Sequence, residues 1–115
     1  MKFSALVAIL AEDMEDKAID IARGAGAGAV TLVNARGITG DEKKTFFGLT
    51  YEGSQSVLLF VLEKKLSLQV LKALTRELQL DSDDRGIAFT IPLDHLGGIA
   101  PREIDQFTRQ IEDEV

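Results

Sequence analysis

The chain has 115 residues, 45% of them hydrophobic, with no cysteine and a formal net charge of −6. That length supports one domain with a single core, and the lack of cysteine excludes disulfides, thiolate metal sites and a cysteine nucleophile. The acidic balance argues against sequence-independent binding to DNA or RNA, which needs clustered Lys and Arg, and no apolar run is long enough to cross a bilayer.

In chain order, residues 3–10 are apolar at both parities, which predicts a strand buried on both faces. The opening "MKFSALVAIL" runs straight into "AEDMEDKA", whose acids do not suit a signal-cleavage site, so a first strand is the better reading. Asp13 is placed to cap a helix with Met14, Ala18, Ile21, Ala22 and Ala25 at helical spacing. Within "GAGAGA" (24–29), Gly24 is the expected left-handed end of that helix. "VTLVNA" follows as a β-branched strand. After a polar segment, "SVLLFVL" (56–62) is again apolar at both parities. Ser67 is expected to cap a second helix with Leu68, Leu71, Leu74 and Leu78 on one stripe. "LDSDDRG" is a turn with Gly86 in a special backbone conformation, and "IAFTIPL" is a strand ending near Pro92. Pro101 suits the first turn of a last helix over about 101–113, with Ile104, Phe107 and Ile111 on one face.

The order is βαββαβ plus a C-terminal helix: a single α+β domain over 1–115 of the ferredoxin-like, split-βαβ kind. Two helices cover one face of a four-stranded sheet, yet the first and third strands are apolar on both. The other face would be a large exposed patch on a monomer. A second subunit is the economical cover, with the C-terminal helix a partial alternative.

Signs of catalysis are thin. His95 is the only histidine and no serine lies in a GxSxG context. Asp94 beside His95 makes no dyad by adjacency, since neighbours in an extended chain point apart. Glu12, Asp13, Glu15 and Asp16 stand at a helix start, where acids are favoured by the dipole. "DSDDRG" lacks the later Glu of a calcium loop. No catalytic residue and no metal site are expected. Two glycine-bearing turns are more suggestive: "ARGITG" (35–40) and "DDRG" (83–86). They offer free N–H donors with Arg36 and Arg85, and Lys43 and Lys44 are close in sequence. That combination suits a phosphate-bearing small molecule.

With "NARGITGDEKKTFFG" and "DDRGIAFTIPLDHLGGI" set in this order of elements, the chain resembles the PII-like nitrogen-regulatory signalling family up to about Pro101, as a divergent member with a shortened middle loop. The resemblance implies a cytoplasmic homotrimer that binds an adenine nucleotide (AMP, ADP, ATP or cyclic AMP) in clefts between subunits. It implies a flexible T-loop over about 38–55 that docks on a regulated partner, a membrane transporter or a nitrogen-metabolism enzyme. Carried over by position, the ligand candidates are Ala29, Gly37, Ile38 and Thr39 at one wall, with Gly40 in the same turn. Leu59 and Val61 lie along the third strand, and Arg85 and Gly86 in the second loop. A side chain at Gly86 is expected to crowd an approaching phosphate while leaving the fold intact.

The chain departs from the family's pattern in having Ile87 where a lysine follows the second-loop glycine. It also lacks the arginines near Gly98 and Ala100 that grip polyphosphate. Arg36, Lys44, Arg85 or Arg102 are the cations left for that role. Phe46 and Phe47 either begin an extension of the third long strand or serve the loop, closing the ligand cleft or anchoring the partner. The rival within the same fold is a trimeric metal-tolerance or structural protein resembling the CutA-like group. One histidine and no cysteine supply few soft ligands for it. A small enzyme using the same cleft ranks last.

Overall fold

The computed structural model describes residues 2–36, 45–46, 49–50, 54–82 and 86–98. Strand β1 (Phe3–Ala11) passes through a 3-10 turn (Glu12–Met14) into helix α1 (Glu15–Gly24), and β2 (Thr31–Ala35) follows. Two short strands, β3 (Thr45–Phe46) and β4 (Leu49–Thr50), precede the long β5 (Gln55–Glu63), then α2 (Lys64–Glu77) and β6 (Gly86–Pro92). The four long strands form an antiparallel sheet in the order β2-β5-β1-β6. Each βαβ unit therefore brackets a strand of the other, the ferredoxin-like arrangement predicted from the order of elements. The helix expected over 101–113 lies outside the described residues.

Register follows the burial pattern. β1 pairs with β5 from Phe3↔Glu63 to Ala11↔Gln55 and with β6 from Ser4↔Pro92 to Leu10↔Gly86. Because side chains alternate along a strand, Ser4, Leu6, Ala8 and Leu10 share one face with Ser56, Leu58, Phe60 and Leu62, and all are buried. Ala18 and Ala22 of α1, and Leu66, Val70 and Leu74 of α2, pack onto that face. The opposite face carries the rows Val7–Leu59–Phe89 and Ile9–Val57–Ile87, with Val33 beside Val57. Much of it is open: Val33 is 48% and Ile91 47% exposed. The two-sided apolar pattern of the central strands thus corresponds to one helix-covered face and one largely open apolar face.

The helix ends differ from expectation in three places. Asp13 does not cap α1; it lies within the 3-10 turn, and Met14 at the N-cap makes no side-chain bond. Gly24 remains helical, and the left-handed glycine is Gly26 (φ 116°). The bond from Ala27 N–H to the Ala22 carbonyl, 2.9 Å, closes that end. Helix α2 begins three residues before Ser67. The Glu63 carboxylate accepts from the backbone N–H of Lys65 at 2.7 Å and Leu66 at 3.2 Å, so it satisfies two of the orphan donors of the first turn. Ser67 instead donates to the Lys64 carbonyl at 2.7 Å. The earlier start turns Leu66, Val70 and Leu74 inward, while Leu68 is exposed.

Candidate functional site

One end of the sheet gathers the features that suggest ligand binding. Ala35, Gln55 and Ala11 stand in one cross-strand row, and Asn34, Ser56, Leu10 and Gly86 in the next. Arg36 follows Ala35 at the β2 edge and is exposed; Gly86 opens β6 at the opposite edge. Three strand spacings separate those corners, about 14 Å.

Gly86 is required by packing. Its φ is +140°, and a Cβ there would lie 2.6 Å from the Ile9 carbonyl oxygen and 2.7 Å from Leu10 Cδ2. The expectation that a side chain at this position would leave the fold intact is therefore corrected. It would collide with β1 whether or not a ligand is bound.

Leu59 and Val61 lie on the open face of β5, both exposed. Ala29, also exposed, stands two residues before Thr31, which pairs with Leu59. Gly37, Ile38, Thr39, Gly40, Lys44, Phe47 and Arg85 lie outside the described residues. Phe46 does not extend β5. It belongs to β3, which pairs with β4 through Thr45↔Thr50 and Phe46↔Leu49 as a two-stranded sheet of its own, and β5 starts only at Gln55. The strand reading of Phe46 is right in kind and wrong in partner.

The residue that sequence reasoning missed is Gln55. It is 2% exposed, and its Nε2 has no hydrogen-bond partner among the described residues. By strand alternation it lies on the same side of the sheet as Val57 and Leu59, at an end of that side where it is closed off from solvent. Its neighbour Ser56 points the other way and donates to Glu15 Oε1 at 2.9 Å, tying the start of α1 to the start of β5. The available signal was a polar pair, Gln55-Ser56, opening an otherwise apolar strand.

Elsewhere, Asp94 and His95 are exposed. Among the described residues no group of three His, Cys, Asp or Glu could hold a metal ion, and no helix is long and apolar enough to cross a membrane. An open groove of about 400 Å³ between the helices is lined by Asp20, Ile21, Gly24, Ala25, Ala73, Arg76 and Glu77, none of them a predicted ligand residue.

No family model matches the sequence, and no curated protein matches it. Solved structures do match the fold. A PII-like signalling protein from Thermus thermophilus superposes with a TM-score of 0.60 at 16% identity, over 81% of this chain and 88% of that one. The fold is that of the PII-like signalling proteins. CPII from Thiomonas intermedia K12, solved with ADP, AMP and acetate, has a TM-score of 0.61 at 17% identity, over 82% of this chain and 90% of that one. The GlnK–ATP complex of B. subtilis gives 0.62 at 17% identity, over 81% and 85%. In this chain the PII-like fold sets the corners at Arg36 and Gly86 at one end of the sheet, with the 37–53 segment connecting β2 to β5 there.

Proposed function

We propose that the protein is a non-catalytic, cytoplasmic sensor of the PII-like kind. Three copies assemble, bind an adenine nucleotide in the clefts between them, and regulate a partner protein, a transporter or a nitrogen-metabolism enzyme, through the loop between β2 and β5. The carrying observation is the placement of the two corners. Arg36 and Gly86 lie at the same end of the sheet but on opposite edges. Within one chain they are about 14 Å apart, too far for one phosphate group to touch both. A neighbouring copy packed against the open face would set the β6 edge of one subunit beside the β2 edge of the next. A single cleft would then hold both corners.

The remaining candidates take their places in that cleft. Leu59 and Val61 would offer an apolar surface to a flat base, with Ala29 at its margin. Gly37, Ile38, Thr39 and Gly40 would supply N–H donors, and Arg36, Lys44 and Arg85 positive charge. Ligand class is supported by the structural neighbours, which were solved with ADP, AMP or ATP. Ile87 in place of a lysine removes one cation from the second loop, which favours AMP or ADP over ATP. Phe46 and Phe47 would be the partner contact.

Native mass spectrometry with AMP, ADP, ATP and cyclic AMP tests the reading directly. The expected species is a trimer carrying up to three nucleotides. Absence of binding by all four ligands would overturn it.

A further inference from the structure

We propose that the C-terminal segment, residues 99–115, packs along the outer face of α2. That face has an unusual make-up for so acidic a chain. Lys65, Leu68, Lys72 and Arg76 recur at helical spacing, so they form one stripe along the whole of α2. All four are exposed, Leu68 at 42%. Lys64, exposed as well, flanks the stripe at its start. Lys72 and Arg76 are a like-charge pair one turn apart, an arrangement that weakens a helix unless something answers the charge. In a chain of net charge −6, a cationic row around an exposed leucine is a surface for an acidic, amphipathic element.

The chain's own terminus has that chemistry. In the helix predicted over 101–113, Ile104, Phe107 and Ile111 share one face, and Glu103, Asp105 and Glu112 border it, with Glu114 just beyond. Arg102 and Arg109 fall on the opposite face. Glu103 and Glu114 have the same separation in sequence as Lys65 and Arg76. The topology delivers this segment to the right end of α2. Leu93 N–H bonds to the Phe3 carbonyl at 3.0 Å, Phe3 pairs with Glu63, and α2 starts at Lys64. The chain thus leaves β6 two strand spacings, about 10 Å, from the start of α2. The connection from Leu93 to Arg102 reaches at most about 33 Å, enough to pass α2 and enter a helix packed about 8–10 Å above it. Laid alongside α2 from that end, the segment sets Glu103 level with Lys65, Phe107 with Leu68 and Glu114 with Arg76. The exposed Asp16 and Asp20 of α1 keep an acidic element on the α2 side of the helix layer. The open face of the sheet suits it less, because the rows Val7–Leu59–Phe89 and Ile9–Val57–Ile87 hold no charge to meet its acids. A separate acidic partner must overcome the chain's net charge and an association cost that a short tether removes.

The chain has no cysteine, so introduced thiols report this contact in the full-length protein. The test pair is Gln69→Cys with Thr108→Cys, which borders the contact and leaves Leu68 and Phe107 in place. The control pair joins Thr108→Cys to Val33→Cys on the open face. A short bismaleimide should link the test pair within one chain, seen as a change in mass and gel mobility without a dimer band. It should leave the control pair unlinked. Adding Lys72→Glu and Arg76→Glu should slow the linking about tenfold, the combined effect of two exposed ion pairs, with circular dichroism checking that α2 stays helical. Adding Glu112→Lys and Glu114→Lys to that variant should restore the rate. The proposal falls if the test pair does not react, or if the control pair links instead. It falls if the product is a dimer, which would put the segment on another copy, and if charge reversal leaves the rate unchanged. None of these outcomes involves a nucleotide, so the sensor reading stands or falls separately.

Discussion

Gly86 shows how a residue with a functional look can be held by packing. The Ile9 carbonyl and Leu10 side chain occupy the space a Cβ would need, and the backbone there is left-handed. Gly86→Ala should therefore destabilise the free protein by roughly 1–3 kcal/mol from backbone strain alone. Chemical denaturation checks this, and a variant as stable as wild type would show that β6 can shift off β1. The reverse case is Gln79, the only non-glycine residue with positive φ among those described, at 55°. It follows α2, where Leu80 N–H bonds back to the Thr75 carbonyl at 2.9 Å. A side chain in that conformation carries a steric cost that glycine avoids. Gln79→Gly is expected to stabilise the fold by about 0.5–1 kcal/mol, seen as a higher denaturation midpoint.

Among the elements, α2 and the β3–β4 hairpin differ in how they are attached. Helix α2 is anchored by a buried stripe and capped by Glu63, so its register on the sheet is determined at several points. The hairpin has its own ladder, separate from the four-stranded sheet, and β4 comes near β1 without pairing to it. Phe46→Ala should accordingly leave the melting temperature of the free protein nearly unchanged. It should weaken nucleotide or partner binding by roughly 1–3 kcal/mol, the range for losing an aromatic anchor or stacking platform. A stability loss of roughly 3–5 kcal/mol with wild-type affinity would instead make the ring part of the core. Thermal melts and titrations on this single variant separate the two.

At the scale of the whole molecule, the dominant feature is a sheet with one face covered by helices and one face apolar and open. Exposed apolar area of that extent marks an interaction surface, and covering it returns roughly 25 cal/mol for each Å² removed from water. The wild-type protein is expected to run as a trimer in size-exclusion chromatography with light scattering at micromolar concentration. Phe89→Asp, which puts a charge in the row Val7–Leu59–Phe89, should shift it to monomer, because an unpaired carboxylate buried in that contact is strongly unfavourable. A wild-type monomer, or an aspartate variant that still assembles, would show that another element covers the face.

Residues 3–10 and 56–62 show what local sequence determined here. An apolar run at both parities specifies a strand with no polar face, and two such strands with two amphipathic helices leave little choice but a central pair in a split-βαβ sheet. Turn chemistry placed Gly86 in its special conformation and Pro92 at a strand end, since those constraints act within a few bonds. Tertiary structure decided the rest. Glu63 rather than Ser67 caps α2, because a carboxylate just outside the helix reached the N–H groups first. Gly86 meets β1 across the sheet, a contact more than seventy residues away in sequence and invisible to any local pattern. Gln55 looked like the edge of a loop and proved to be a buried amide beside Ala11 and Ala35, because burial depends on which strands flank it. Pattern along a chain records which side chains avoid water; which particular atoms they meet is settled only when distant segments pack.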